Sequence, residues 1–134
     1  MTREALDSWA RAQMALKTAK RDLKDDPDAA ANRAYYAAFH AVNALFAIQG
    51  KSFSKHSAVE AAVHRDLVNQ GLWPKDLGAA YAGLIDTRNT GDYGGAMHVS
   101  TEEAAEAIRS AEAVLKAVHD ANPGLFVFDN PYGY

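Results

Sequence analysis

The chain has 134 residues, 49% of them hydrophobic and 23% charged, with no cysteine and a formal net charge of −3. That length suits one domain with a real hydrophobic core, and the composition is globular rather than disordered. Lack of cysteine excludes a disulfide framework and a thiolate metal site; mild acidity excludes broad electrostatic binding to nucleic acid, but not a small site with two or three cations.

Five helical segments are predicted. In the first, Leu6, Trp9, Ala12, Leu16, Ala19 and Leu23 recur at spacings of three and four, an amphipathic stripe. It ends in Lys24-Asp25-Asp26, where Asp26 can cap the next helix and Pro27 fits a first turn that has no use for its missing N–H. The second segment runs from Pro27 to about Gln49, with Gly50 as its stop. Phe39, Val42 and Phe46 form one apolar face, and Ala34, Ala38, Ala41 and Leu45 form another, so this helix is expected to be central. After a loop over 52–57, Val59, Val63 and Leu67 stack in a third helix that ends near Gly71. Pro74 opens a fourth with Leu77, Tyr81, Leu84 and Ile85; its pattern dissolves at Asn89-Thr90-Gly91, and Gly94-Gly95 extends the break.

The fifth segment has the clearest start, since Ser100 and Glu103 have the spacing of a capping box. Ala104, Ile108, Ala111, Leu115 and Val118 make its buried stripe, and Asn122-Pro123-Gly124 ends it. Long helices with short connections predict an all-α, antiparallel up-and-down bundle over residues 1–122, followed by an aromatic tail over 123–134 that docks on the bundle or on a partner. Charge is uneven: residues 1–24 hold six basic side chains against three acidic, and 100–122 hold two against five. The first nine residues mix Arg3, Glu4 and Asp7 among apolar ones, unlike a signal peptide. The most apolar stretch, 34–48, is too short to span a bilayer. A cytoplasmic location without membrane attachment is the expectation.

Three constellations bear on chemistry. Arg33, Tyr36 and His40 share one face of the second helix, with Asn43 near its edge. They read either as an internal hydrogen-bond network or dimer contact, or as a polar cleft for phosphate or RNA. Arg88-Asn89-Thr90-Gly91-Asp92-Tyr93 lies at the break after the fourth helix. There Arg88 either satisfies helix-end carbonyls or clamps a phosphate with paired donors. His56, Glu60 and His64 follow one another at i+4, but the outer two lie about 12 Å apart along a helix axis. They read as surface side chains rather than a metal site. No P-loop, dinucleotide fingerprint or nucleophile elbow is present, and no cofactor or metal is expected.

The run Arg33-Ala34-Tyr35-Tyr36-Ala37-Ala38-Phe39-His40, then Gly50-Lys51, Lys55-His56, Arg88 to Tyr93 and Ser100-Thr101-Glu102-Glu103-Ala104, resembles the small stand-alone members of the HEPN-domain family. The resemblance spans roughly Leu6 to Ala121. It implies an antiparallel helical bundle, usually a homodimer. Many members are metal-independent endoribonucleases, often toxins paired with a nucleotidyltransferase antitoxin. Their motif is an arginine, four to six residues, then a histidine; the arginine steadies phosphate charge and the histidine moves protons. Here Arg88 is followed after four residues by Tyr93 instead. Tyrosine, with a reference pKa near 10, is a poor general base at neutral pH. Carried onto this chain, the resemblance implies Arg88, Asp92, Tyr93 and His40 as catalytic candidates, with His98 as a further source of a proton, and Arg33 and Tyr36 as substrate-binding candidates. The alternative is a non-catalytic module that binds a nucleotidyltransferase or a nucleotide, with Tyr93 as a target of nucleotide transfer.

Overall fold

The computed structural model describes residues 2–128. Its helices are α1 (Thr2–Asp22), α2 (Pro27–Ile48), α3 (His56–Ala62), α4 (Lys75–Tyr93) and α5 (Thr101–Ala121), and there is no strand among the described residues. A π-helical stretch, Val63–Val68, continues α3. None of the described helices is long and apolar enough to cross a membrane.

Helix starts follow from side-chain chemistry. The Asp26 carboxylate accepts from the Ala29 N–H, with Pro27 in the first turn of α2. Ser100 and Glu103 each accept the other's backbone N–H at 3.0 Å, the reciprocal box that opens α5. Gly50, at a φ of 76°, turns the chain back after α2, a conformation that costs glycine little.

The helix α2 is central, packing on α1, α4 and α5. Eleven of its residues are buried and seven of these are alanine, so three helices can approach its backbone closely. The four long helices alternate in direction. Trp9 near the start of α1 packs on Phe126 beyond the end of α5, and Lys20 near the end of α1 pairs with Glu112 in mid-α5 at 2.9 Å. Asn32 near the start of α2 meets Asp92 at the end of α4. The all-α up-and-down bundle is therefore realised, with α3 and its π-helical extension as a strut between α2 and α4.

One boundary differs from expectation. The break predicted at Asn89-Thr90-Gly91 is not there; α4 runs on through Tyr93. Thr87 and Thr90 donate their hydroxyls back to the Gly83 and Asp86 carbonyls, at 3.0 and 3.2 Å, so polar side chains are absorbed within the helix. Gly91 lets the last turn of α4 lie against the first turn of α2: a Cβ there would stand 3.2 Å from the Asp28 carbonyl oxygen.

Part of the predicted tail joins the core. Phe126 is fully buried, Trp9 Nε1 donates to the Val127 carbonyl at 2.7 Å, and the Trp9 ring lies between Phe126 and Phe128. The rest of the aromatic tail, 129–134, lies outside the described residues.

Candidate functional site

The spacing of three and four along α2 aligns Arg33, Tyr36 and His40 as expected. The Arg33 guanidinium sits 5.0 Å from the Tyr36 ring centroid, and the His40 ring lies 5.9 Å from it on the other flank. Beside them Tyr35 is buried, and burial holds its phenol up at about 12.

Because α4 stays helical through Tyr93, Arg88 and Asp92 stand one turn apart on one face. Arg88 Nε is 2.9 Å from Asp92 Oδ2, an ion pair whose N–H is not aimed well enough to count as a hydrogen bond. Asn32 Nδ2 donates to the same carboxylate oxygen at 2.9 Å, and Arg33 donates twice to Asn32 Oδ1, at 3.0 and 2.7 Å. The guanidinium of Arg88 lies 5.4 to 5.6 Å from the ring centroids of Tyr35, Tyr36 and Tyr93. Its two terminal nitrogens reach Tyr36 Oη at 3.4 Å and Asn89 Oδ1 at 3.5 Å, both at the outer limit of a hydrogen bond. Arg88 is thus anchored by a carboxylate and three rings while its fork of donors is poorly used. The stripe on α2 and the Arg88 segment form one continuous network, Arg33–Asn32–Asp92–Arg88–Tyr36.

A further member comes from the loop after α2. Beyond Gly50, the Lys51 N–H bonds back to the Phe46 carbonyl at 2.9 Å, and Phe53 packs on Phe46 with centroids 5.3 Å apart. The loop therefore climbs back along α2 and delivers His56 to Tyr35. His56 Nδ1 and Tyr35 Oη are 3.2 Å apart, and the imidazole packs 4.4 Å from the Phe39 ring and 5.6 Å from Tyr36. Partial burial and the positive charge of Arg88 keep this imidazole below its usual pKa, favouring the neutral form. The expected surface role of His56 is corrected in part: the residue is exposed, yet its ring is held by three aromatic neighbours. Spacing along its own helix carried no sign of this, because its partners lie on α2, about 20 positions earlier.

Residues 5–121 match the HEPN domain. The chain belongs to the HEPN-domain family. It is also similar to a UPF0332 protein of Thermotoga maritima, 42% identical over 115 residues that cover 84% of this chain and 87% of that relative.

In this HEPN domain His40 and His98 have other surroundings. His40 lines a groove of about 270 Å³ between α1 and α2, with Arg11, Met14, Ala15, Thr18 and Arg33. Desolvation, aided by the charges of Arg11 and Arg33, pushes its pKa down to about 4, so it is neutral at physiological pH. His98 Nδ1 lies 2.7 Å from Asp28 Oδ2, and the other oxygen of Asp28 accepts the Val99 N–H at 2.7 Å. That carboxylate, held below its ordinary pKa first by the Val99 N–H and then by His98, ties the loop between α4 and α5 to the start of α2. His98 has a structural partner there and does not meet Arg88. Tyr93 is 72% exposed, its ring beside the guanidinium of Arg88. Among the described residues no three His, Asp or Glu side chains are placed to hold one metal ion.

Proposed function

We propose that this HEPN domain is a metal-independent endoribonuclease of toxin–antitoxin type, in which Arg88 grips the phosphate at the cleaved bond. The observation that carries this reading is the state of Arg88. Its side chain is 17% exposed and fixed by Asp92, yet its terminal donors make only contacts of 3.4 and 3.5 Å. An incoming phosphate offers shorter, charge-assisted bonds in a partly desolvated site, where they are worth most. Arg33 adds a second cation across Tyr36, and the exposed Tyr93 offers a ring on which a base can stack. Two positive groups with aromatic faces suit a single nucleotide step, in keeping with a chain of net charge −3.

The test is cleavage of single-stranded and transfer RNA by homogeneous protein in excess chelator. Wild type is expected to cut, and Arg88→Ala to lose at least ~100-fold in rate, the usual loss when one transition-state donor is removed. No cleavage by wild type, or an Arg88→Ala variant with full activity, overturns the proposal.

A second reading rests on Tyr93 alone. Its exposure makes it accessible to an enzyme that transfers nucleotides, and this chain would then be the bound partner of a nucleotidyltransferase rather than a nuclease. Co-expression with such a partner would add a nucleotide's mass to wild type but not to Tyr93→Phe.

A further inference from the structure

Resting on the ribonuclease reading, we infer that His56 is the catalytic residue that moves the proton at the Arg88 site, with Tyr35 positioning its ring. The site needs a group that can take and return a proton near neutral pH. Tyr35 is buried with its phenol held at about 12. His40 sits over the groove between α1 and α2, and His98 is engaged with Asp28. His56 alone among the imidazoles shares two rings, Tyr35 and Tyr36, with the guanidinium of Arg88.

Its geometry suits the task. Nδ1 is engaged by Tyr35 at 3.2 Å and Phe39 supports the ring face at 4.4 Å, so the ring has a defined plane while the residue remains exposed. In the tautomer that donates Nδ1–H to the Tyr35 oxygen, the Nε2 lone pair is left to accept a proton. The groups that face the ring are Arg88 from α4, Tyr35, Tyr36 and His40 from α2, and Glu60 on its own helix, one turn on, whose charge reaches Tyr35. Arg88 favours the neutral imidazole, the form a base requires.

The step balances without a metal or a co-reactant. The ribose 2′-oxygen forms a bond to the neighbouring phosphorus as its proton passes to His56 Nε2. The bond from phosphorus to the 5′-oxygen breaks, and that oxygen takes the proton back from the imidazolium. The products are a 2′,3′-cyclic phosphate and a 5′-hydroxyl. Arg88 offsets the charge that gathers on the phosphoryl oxygens.

The experiment measures cleavage of end-labelled RNA in chelator by wild type, Arg88→Ala, His56→Ala and His56→Asn, alongside RNA affinity and thermal melting. His56→Ala is expected to lose about 100-fold or more in rate, the range for a lost acid–base group, with RNA affinity within about twofold. Added imidazole should restore part of that rate, which a purely structural role for His56 would not allow. The wild-type rate should rise with pH through a pKa below the ordinary 6.5 and then level, an inflection absent from both His56 variants. If His56→Ala fails to fold, His56→Asn, which keeps a donor toward Tyr35, decides. Wild-type cleavage with an unimpaired His56 variant overturns the role of His56 and leaves the ribonuclease reading standing. Absence of cleavage by wild type overturns both.

Discussion

At the scale of single residues, the imidazole of His40 sets a measurable pH dependence. Its pKa is pushed down to about 4 in the folded chain, by desolvation first and then by Arg11 and Arg33, against about 6.5 when unfolded. Above pH ~6.5 both states are neutral and His40 contributes nothing to the slope. Between about 6.5 and about 4 the unfolded chain takes up a proton that the folded chain refuses, so stability falls as pH falls. Below about 4 both states are charged and the loss is complete. Allowing for the partial exposure of the ring, this loss is roughly 2 kcal/mol. Urea midpoints measured from pH 7 to 4 should therefore fall less steeply for His40→Asn than for wild type. Parallel curves would show that the ring is solvated. Asp28 acts in a separate window: its carboxyl is held low, so its contribution persists above the ordinary carboxylate range and fades only as pH falls through it.

The same scale shows what the sequence could convey. Arg33, Tyr36 and His40 were legible as a stripe because helical spacing is local, and Arg88 was legible as a cation near a helix end. That Asn32 and Asp92 join the two depends on the crossing of α2 and α4, 60 positions apart in the chain. His56 was less legible still, since a loop rather than a helix repeat carries it to Tyr35.

At the scale of elements, the end of α4 decides whether the site exists. Asn, Thr and Gly have low helix propensity, so the local pattern stops at residues 89–91, while tertiary packing carries the helix to Tyr93. Gly91 is the hinge of this argument. A Cβ there meets the Asp28 carbonyl oxygen at 3.2 Å, its Cα at 3.3 Å and Val99 Cγ2 at 3.3 Å, and two of these three are backbone atoms that cannot rotate away. Gly91→Val is therefore expected to cost about 1–3 kcal/mol through overpacking and to part Asp92 from Asn32, with RNA cleavage lost beyond the loss of stability. Gly83 is the control on the same helix, since a Cβ there meets nothing within 4 Å. Gly83→Ala should gain roughly 0.5–1 kcal/mol from helix propensity and leave cleavage unchanged. Denaturant melts and initial rates for the pair separate the two effects. By contrast, the start of α5 was fully readable, because a capping box is written within four consecutive residues.

At the scale of the whole molecule, the bundle is closed at the end where α1 begins and α5 finishes, away from Arg88. The charge asymmetry of the sequence finds its place here: basic α1 lies beside acidic α5, joined by Lys20 and Glu112, an exposed pair worth only about 0–1 kcal/mol. The larger contribution comes from the chain beyond α5. Phe126 is fully buried against Trp9, His119 Nδ1 lies 2.6 Å from the Phe126 carbonyl oxygen, and Trp9 Nε1 holds the Val127 carbonyl oxygen. Phe126→Ala removes the ring and leaves a cavity among rigid neighbours, so it should cost about 3–5 kcal/mol. None of these contacts reaches α4, whereas the site is held by Asn32, Asp92 and the rings of Tyr35 and Tyr36. The folded fraction of Phe126→Ala should therefore cleave RNA with the wild-type pH profile, at temperatures well below its lowered melting point. A normal melting temperature for this variant would mean that residues 125–128 do not stabilise the bundle. A shifted pH profile would mean that closure of the far end and the Arg88 site are coupled through α2 and α5, both of which pack on α4.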